Sequence, residues 1–264
     1  AAPRWSVVIP YYNEADYIEA TLTSLAQQTV PLELVLVDNA STDGSQDLCR
    51  AVLARYPHIP VRYLREGRKG KLYALETGLA AVISELVAVC DADTVYPLHY
   101  LSFCGHLFDS QGDGVVALMA MDVYGDPYSL ASRFRRFWRT GVAFLLPKQA
   151  HTGGYGHSFR TRALRAAGGY SEKHWRYTLL DHEIMHRIFK IGRARYHYDL
   201  WCLPSERRSD RSAVRWTLFE RILYHLTPYR AKDWFFYQFL SSRFDARGMG
   251  HLALRSERAW ENKA

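Results

Sequence analysis

Apolar and polar positions in the first third of the chain come in blocks rather than residue by residue. Residues 5–10 (WSVVIP) are a short β-branched run stopped by proline, the pattern of a strand buried on both faces. Residues 14–28 place Ile18, Leu22 and Leu25 at helical spacing. A second apolar run over 32–37 is closed by Asp38-Asn39, and the turn Ser41-Thr42-Asp43-Gly44-Ser45 caps a helix running to Tyr56. A strand over 61–64, a helix over 71–83 and a strand over 86–90 follow. This alternation predicts βαβ units and an α/β fold with a mostly parallel sheet flanked by helices.

After a further apolar strand over 115–121 the pattern loosens. A helix rich in arginine and aromatics is expected over 128–146, a glycine-rich loop over 151–157 (HTGGYGH) and a helix over 179–191. Residues 193–203 read as extended, and 213–244 as helical with a break near Pro228. No repeat, low-complexity segment or linker marks a second core. The expected organisation is one domain over 1–208 and a basic, aromatic C-terminal helical extension over 209–264.

In parallel sheets ligands bind beyond the carboxyl ends of the strands. Those ends carry Tyr11-Tyr12-Asn13-Glu14, Asp38-Asn39, the basic residues 65–71, and Asp91-Ala92-Asp93. The Asp91 and Asp93 side chains leave a strand end on the same side. Such a sparse carboxylate pair suits Mg²⁺ or Mn²⁺ already bound to phosphates, and the ion would neutralise a diphosphate leaving group. A solvated turn is the plain alternative, and the agreement of four strand ends favours the metal reading.

Charge and composition narrow the partners. The formal charge of +7 points to an anionic partner: a nucleotide diphosphate, an anionic membrane surface or nucleic acid. With 48% hydrophobic and 23% charged residues, disorder is excluded. Cys49, Cys90, Cys104 and Cys202 are scattered without a CxxC pair, as for reduced thiols in a cytoplasmic compartment. No apolar run reaches the ~18 residues of a spanning helix. The chain opens without Met and without a secretory signal pattern, as expected of a trimmed or engineered N-terminus.

The segments VVIPYYNE (7–14), VDNASTDGS (37–45), GKLYALETG (70–78) and DAD (91–93) resemble a family 2 inverting glycosyltransferase of the GT-A fold, a Rossmann-like nucleotide-diphospho-sugar transferase. GGYGHSFRTRALRAAGGY (153–170) and LLDHEIMHRIFKIG (179–192) extend the likeness over nearly all of residues 5–208. The resemblance implies a nucleotide-binding half over 1–95 and an acceptor half over 96–208. It implies that Pro10, Tyr11, Glu14 and Asp38 surround the base and ribose. Asp91 meets the ribose or the metal shell, and Asp93 ligates the metal. Arg68, Lys69 and Lys71 lie where they meet phosphates or simply stay solvated. The family's acidic pair falls on Leu180-Asp181, which makes Asp181 the base for an acceptor hydroxyl, with Glu183 in the second acidic position and Arg187 as the helix arginine. The loop carrying Gly153, Gly154, Tyr155 and Gly156 is implied to contact donor sugar and acceptor, while His157 contacts ligand or packs.

A competing motif, His182-Glu183-Ile184-Met185-His186, matches HExxH and would make a zinc metalloprotease. No further zincin context follows, and the preceding αβ pattern is foreign to it. The aromatic and cationic residues of 133–139 and 215–239 fit helices lying on an anionic membrane face, which suits a lipid-linked acceptor, or helices packed on the domain or a second subunit. A non-catalytic membrane-binding protein on the same fold is a third reading. No nucleic-acid motif accompanies the basic residues. Residues 212–216 lack the glutamine of the QxxRW motif of processive synthases, so transfer of a single sugar, with a UDP-sugar as favoured donor, is expected.

Overall fold

The computed structural model describes residues 3–148, 153–206 and 216–252. Strands β1 (Trp5–Tyr11), β2 (Leu32–Asp38), β3 (Val61–Arg65) and β4 (Leu86–Cys90) are mutually parallel, with β1 between β2 and β4 and β3 outside β2. Every residue of β1, β2 and β4 is buried, which is why they read as unbroken apolar runs. Helices α1 (Ile18–Ala26), α2 (Ser45–Leu53) and α3 (Lys71–Ala80) connect them. Helix α3 lies so close to the sheet that a Cβ at Gly78 would stand 2.6 Å from Val8 and 2.9 Å from Val37, so glycine sets that approach.

The chain continues through β5 (Thr94–Val95), α4 (Tyr100–Ser110), β6 (Val115–Met119), β7 (Met121–Asp122), α5 (Leu130–Leu145), β8 (Gly156–Arg160), α6 (Thr161–Ala166), α7 (Leu180–Ile191), β9 (Arg193–Arg195) and β10 (Trp201–Pro204). The main sheet has the order β3-β2-β1-β4-β8-β6-β9, with β8 antiparallel to both neighbours, and β5-β10-β7 form a small second sheet. One apolar cluster fills each side of the main sheet. No helix of the described residues is long and apolar enough to cross a membrane.

Three expectations need revision. The run 115–121 is two strands: Ala120 donates its N–H to Gly156 (2.9 Å), and Met121 then leaves for the second sheet. Residues 156–157, expected in a loop, begin central strand β8. Its polar letters conceal it, because His157 and Ser158 are fully buried and the Arg160 guanidinium donates to the carbonyls of Val115 (3.0 Å) and Phe108 (2.8 Å). Helix α4 has no counterpart among the expected elements, although its buried Tyr100, Leu101, Cys104, Leu107 and Phe108 have helical spacing.

The C-terminal extension packs on the domain. Helix α8 (Leu218–Leu226) starts with a Thr217/Glu220 capping box and ends before Pro228. A 3₁₀ turn (Tyr229–Ala231), an α turn (Lys232–Trp234), a π-helical stretch (Phe235–Leu240) and a last α turn (Ser241–Ala246) follow. Phe235, Phe236, Leu240 and Phe244 pack with Trp175 and Tyr177 in a third cluster. Residues 213–215 of the expected helix lie outside the described residues.

Candidate active site

The strand-end residues do gather at one edge, though not all face the same space. Asp38 is buried at the end of β2, accepting the Ser41 N–H (3.0 Å), with the Arg65 Nε 3.9 Å away. Asn39 directs the basic loop. Its amide donates to the carbonyls of Glu66 (3.1 Å) and Arg68 (2.7 Å), and its Oδ1 accepts from the Gly70 N–H (2.7 Å). Gly70 has φ +130°, a conformation side-chain-bearing residues rarely adopt. Arg68 is held by Glu66 (2.8 Å) and Glu76 (3.3 Å), so its charge is spent within the loop. The Arg68 hydrogen bond brings the Glu66 carboxyl down to about 2. Lys69 is exposed. Lys71 reaches the Asp91-Ala92-Asp93 turn, with Nζ 2.5 Å from Asp91 Oδ1.

Three expected nucleotide contacts are buried. Tyr11 is buried in the core against Cys49, and burial raises its hydroxyl pKa. Pro10 lies inside β1 opposite Val37. Glu14 is buried and begins the turn into α1: its N–H donates to Ser45 Oγ (2.8 Å) and its carbonyl accepts from Ile18 (2.9 Å).

The Asp91-Ala92-Asp93 turn is clamped from both sides. Thr21 of α1 donates its hydroxyl to the Ala92 carbonyl (2.9 Å) and accepts the Thr94 N–H (3.1 Å). Ser205 donates its hydroxyl to Asp93 Oδ2 and its N–H to the Asp93 carbonyl, both at 2.9 Å. The Asp91 N–H donates to the Tyr96 hydroxyl (3.1 Å), which donates to the Tyr155 carbonyl (2.5 Å) and so ties the triplet to the glycine loop. Among the described residues no three His, Cys, Asp or Glu side chains form a self-sufficient metal centre. Two carboxylates beside a cation fit Mg²⁺ or Mn²⁺ that takes its remaining ligands from a bound diphosphate and water.

The glycine loop and α7 complete the site. A Cβ at Gly154 would lie 3.4 Å from Asp181 Cβ and 4.0 Å from Lys71 Nζ, so the missing side chain at Gly154 leaves a space bordered by both. Beneath it Tyr155 is buried and hydrogen-bonds Asp122, which pairs with Arg139 of α5. Gly156 brings β8 against Ala120, where a Cβ would stand 2.7 Å away. Asp181 stands in the first turn of α7, launched by Leu179 at φ +64°, a strained value for a branched residue. Asp181 Oδ1 accepts from the His182 N–H (3.0 Å) and faces His182 Nδ1 (3.1 Å). Burial pushes its carboxyl up, but His182, with His157 and Lys71, holds it well below the usual carboxylate range. It is therefore ionised at neutral pH.

Glu183 is not brought to this space. It is buried and pairs bidentately with Arg187 (2.7 and 2.8 Å) while accepting the Tyr237 hydroxyl (2.5 Å). The HExxH histidines also diverge, His182 toward Asp181 and His186 toward Asp233 (2.7 Å). His157 lies buried within β8. His151, Thr152 and residues 212–215 lie outside the described residues. Sequence reasoning missed Thr21, Tyr96, Asp122 and Ser205, and it placed Asn39 at the edge without seeing that it shapes the basic loop. Asp122 alone carried the signal already used for Asp38 and Asp91, an acid closing an apolar run.

Residues 6–168 match the model of glycosyl transferase family 2. The chain is 36% identical over 99 residues to the uncharacterized glycosyltransferase YibD of Escherichia coli, covering 37% of this chain and 28% of that protein. It is 28% identical over 212 residues to the succinoglycan biosynthesis protein ExoA of Rhizobium meliloti, covering 74% of this chain and 59% of that one. In structure it resembles the mannosyltransferase PcManGT of Pyrobaculum calidifontis, solved with GDP-Man and Mn²⁺, with TM-score 0.67 and 23% identity over 89% of this chain and 70% of that one.

Proposed function

The chain belongs to glycosyl transferase family 2, and from that premise we propose that it moves a single sugar, with inversion, from a UDP-sugar to a hydroxyl acceptor. The observation that carries this reading is that Asp181 and Lys71, the latter paired with Asp91, both border the space that a side chain at Gly154 would fill. An ionised base and a phosphate-seeking cation thus flank one small space. Asp38 reads the nucleoside, Lys71 meets the diphosphate, and the glycine loop leaves room for the sugar. Asp181 takes the acceptor proton as the new C1–O bond forms on one face and the bond to the diphosphate breaks on the other, UDP leaving with the electron pair. When bound, Mg²⁺ or Mn²⁺ held by Asp93 and Asp91 would neutralise charge on the departing diphosphate.

The acceptor we propose is a lipid-linked saccharide or cell-envelope glycan precursor, met by an enzyme peripheral on the inner, anionic face of a membrane. The name of the R. meliloti relative, a succinoglycan biosynthesis protein, supports a polysaccharide precursor. The test is release of free nucleotide from UDP-sugars and GDP-mannose, with and without EDTA. We expect turnover with a UDP-sugar, abolished by EDTA and by Asp93→Ala. Undiminished turnover in EDTA removes the metal assignment, and turnover with GDP-mannose alone removes the UDP assignment.

A further inference from the structure

Helix α5 is built inside out. In α1, Ile18, Leu22 and Leu25 face the core, whereas the buried positions of α5 are Ser132, Arg136 and Ala143. Its Leu130, Phe134, Phe137, Trp138, Phe144 and Leu145 are 63% to 85% exposed. At ~100° per residue they occupy one arc about 120° wide. The opposite face is anchored. Arg136 Nη2 donates to the Pro127 carbonyl (2.9 Å) and its guanidinium lies 4.6 Å from the Tyr198 ring centre, while Arg139 pairs with buried Asp122. Rolling the stripe inward would strand these charges, so its outward setting is fixed by the fold.

The rim of the stripe is cationic. Arg133 is exposed on one flank, Arg135 is half-buried on the other, and α5 contains no Asp or Glu. Past the end of α5, Lys148 lies 3.9 Å from the ring centre of Tyr229, in the 3₁₀ turn that follows α8. Helix α8 repeats the arrangement, with Leu218, Phe219, Ile222 and Leu226 49% to 72% exposed and Glu220 and Tyr224 buried. A self-complementary dimer on this face would set like charges together. Aromatic side chains on a stripe rimmed by cations and free of carboxylates match an interfacial helix on anionic lipid.

We infer that α5 docks the protein on an anionic bilayer through Phe134, Phe137, Trp138 and Phe144. The contact reaches the site through a short chain, since Arg139 of the same helix holds Asp122, and Asp122 holds Tyr155 beside Gly154. This gives the membrane reading a particular surface; that the bilayer also supplies the acceptor rests on the function proposed above.

The test is co-sedimentation of the full chain with phosphatidylcholine vesicles, with or without roughly 30% phosphatidylglycerol. The expected result is binding to the anionic vesicles, weakened by salt and reduced at least about tenfold by the double substitution Phe137→Ser and Phe144→Ser. Thermal stability and nucleotide release in solution are expected to stay unchanged. Equal sedimentation of wild type and variant overturns the inference, as does no binding by either. So does a variant that converts a dimer to a monomer in velocity sedimentation, or one that loses thermal stability because the chain itself covers the stripe. Nucleotide release without vesicle binding defeats this inference alone, and vesicle binding without nucleotide release defeats the proposed function alone.

Discussion

Up to residue 95 no described lysine or arginine is buried, and the buried Asp38, Asp91 and Asp93 stand at strand ends. Beyond it Arg136, Arg160, Arg187 and Lys232 all enter the body of the protein, while α5 turns its aromatics outward. The first half is held by apolar strands, and its buried aspartates stand at the edge where a ligand would use them. The second half spends charge on holding itself together. Buried ionic groups are costly to leave unpaired, so the halves should fail differently when broken.

Glu183→Ala, which leaves Arg187 buried without its carboxylate, should cost about 3–5 kcal/mol in urea unfolding. Leu34→Ala in fully buried β2 should cost about 2–5 kcal/mol by loss of packing alone. A Glu183 variant with near wild-type stability would erase the contrast. Lys232 is the exception within its half, a buried ammonium that donates to the Tyr224 carbonyl and lies 3.5 Å from the Tyr224 ring centre, and burial lowers it from 10.5 to about 8. Between those values the unfolded chain binds more protons, so stability rises with pH through that window and the penalty is fully present below about 8. Lys232→Met should therefore stabilise the protein by about 1–3 kcal/mol at neutral pH, with the gain shrinking as pH rises toward 10.5. Phe137→Ser on α5 should move stability by less than about 0.5 kcal/mol.

The same division explains what the sequence disclosed. Apolar runs ending in acids give β1, β2 and β4 and their edge directly, because burial on both faces leaves no other composition. Strand β8 is hidden because Ser158 and Arg160 find buried partners far away in sequence, which no local pattern records. The composition of 128–146 predicts a cationic helix, yet it does not say that Arg136 faces in and Phe137 out. At the site the resemblance selected Asp181 and the glycine loop, and the structure brings them beside Lys71 and Asp91. It sets Tyr11, Arg68 and Glu183 to internal tasks, each claimed by a neighbour that local reading did not weigh.

The central claim is that the base and the donor edge are separate parts of one site. Asp181→Asn keeps shape and removes the base, so nucleotide affinity and turnover should part company. The account predicts sugar transfer lower by about 10²–10⁴-fold with UDP affinity within about twofold of wild type. Undiminished transfer by Asp181→Asn, or a loss of UDP affinity as large as the loss of turnover, would contradict it.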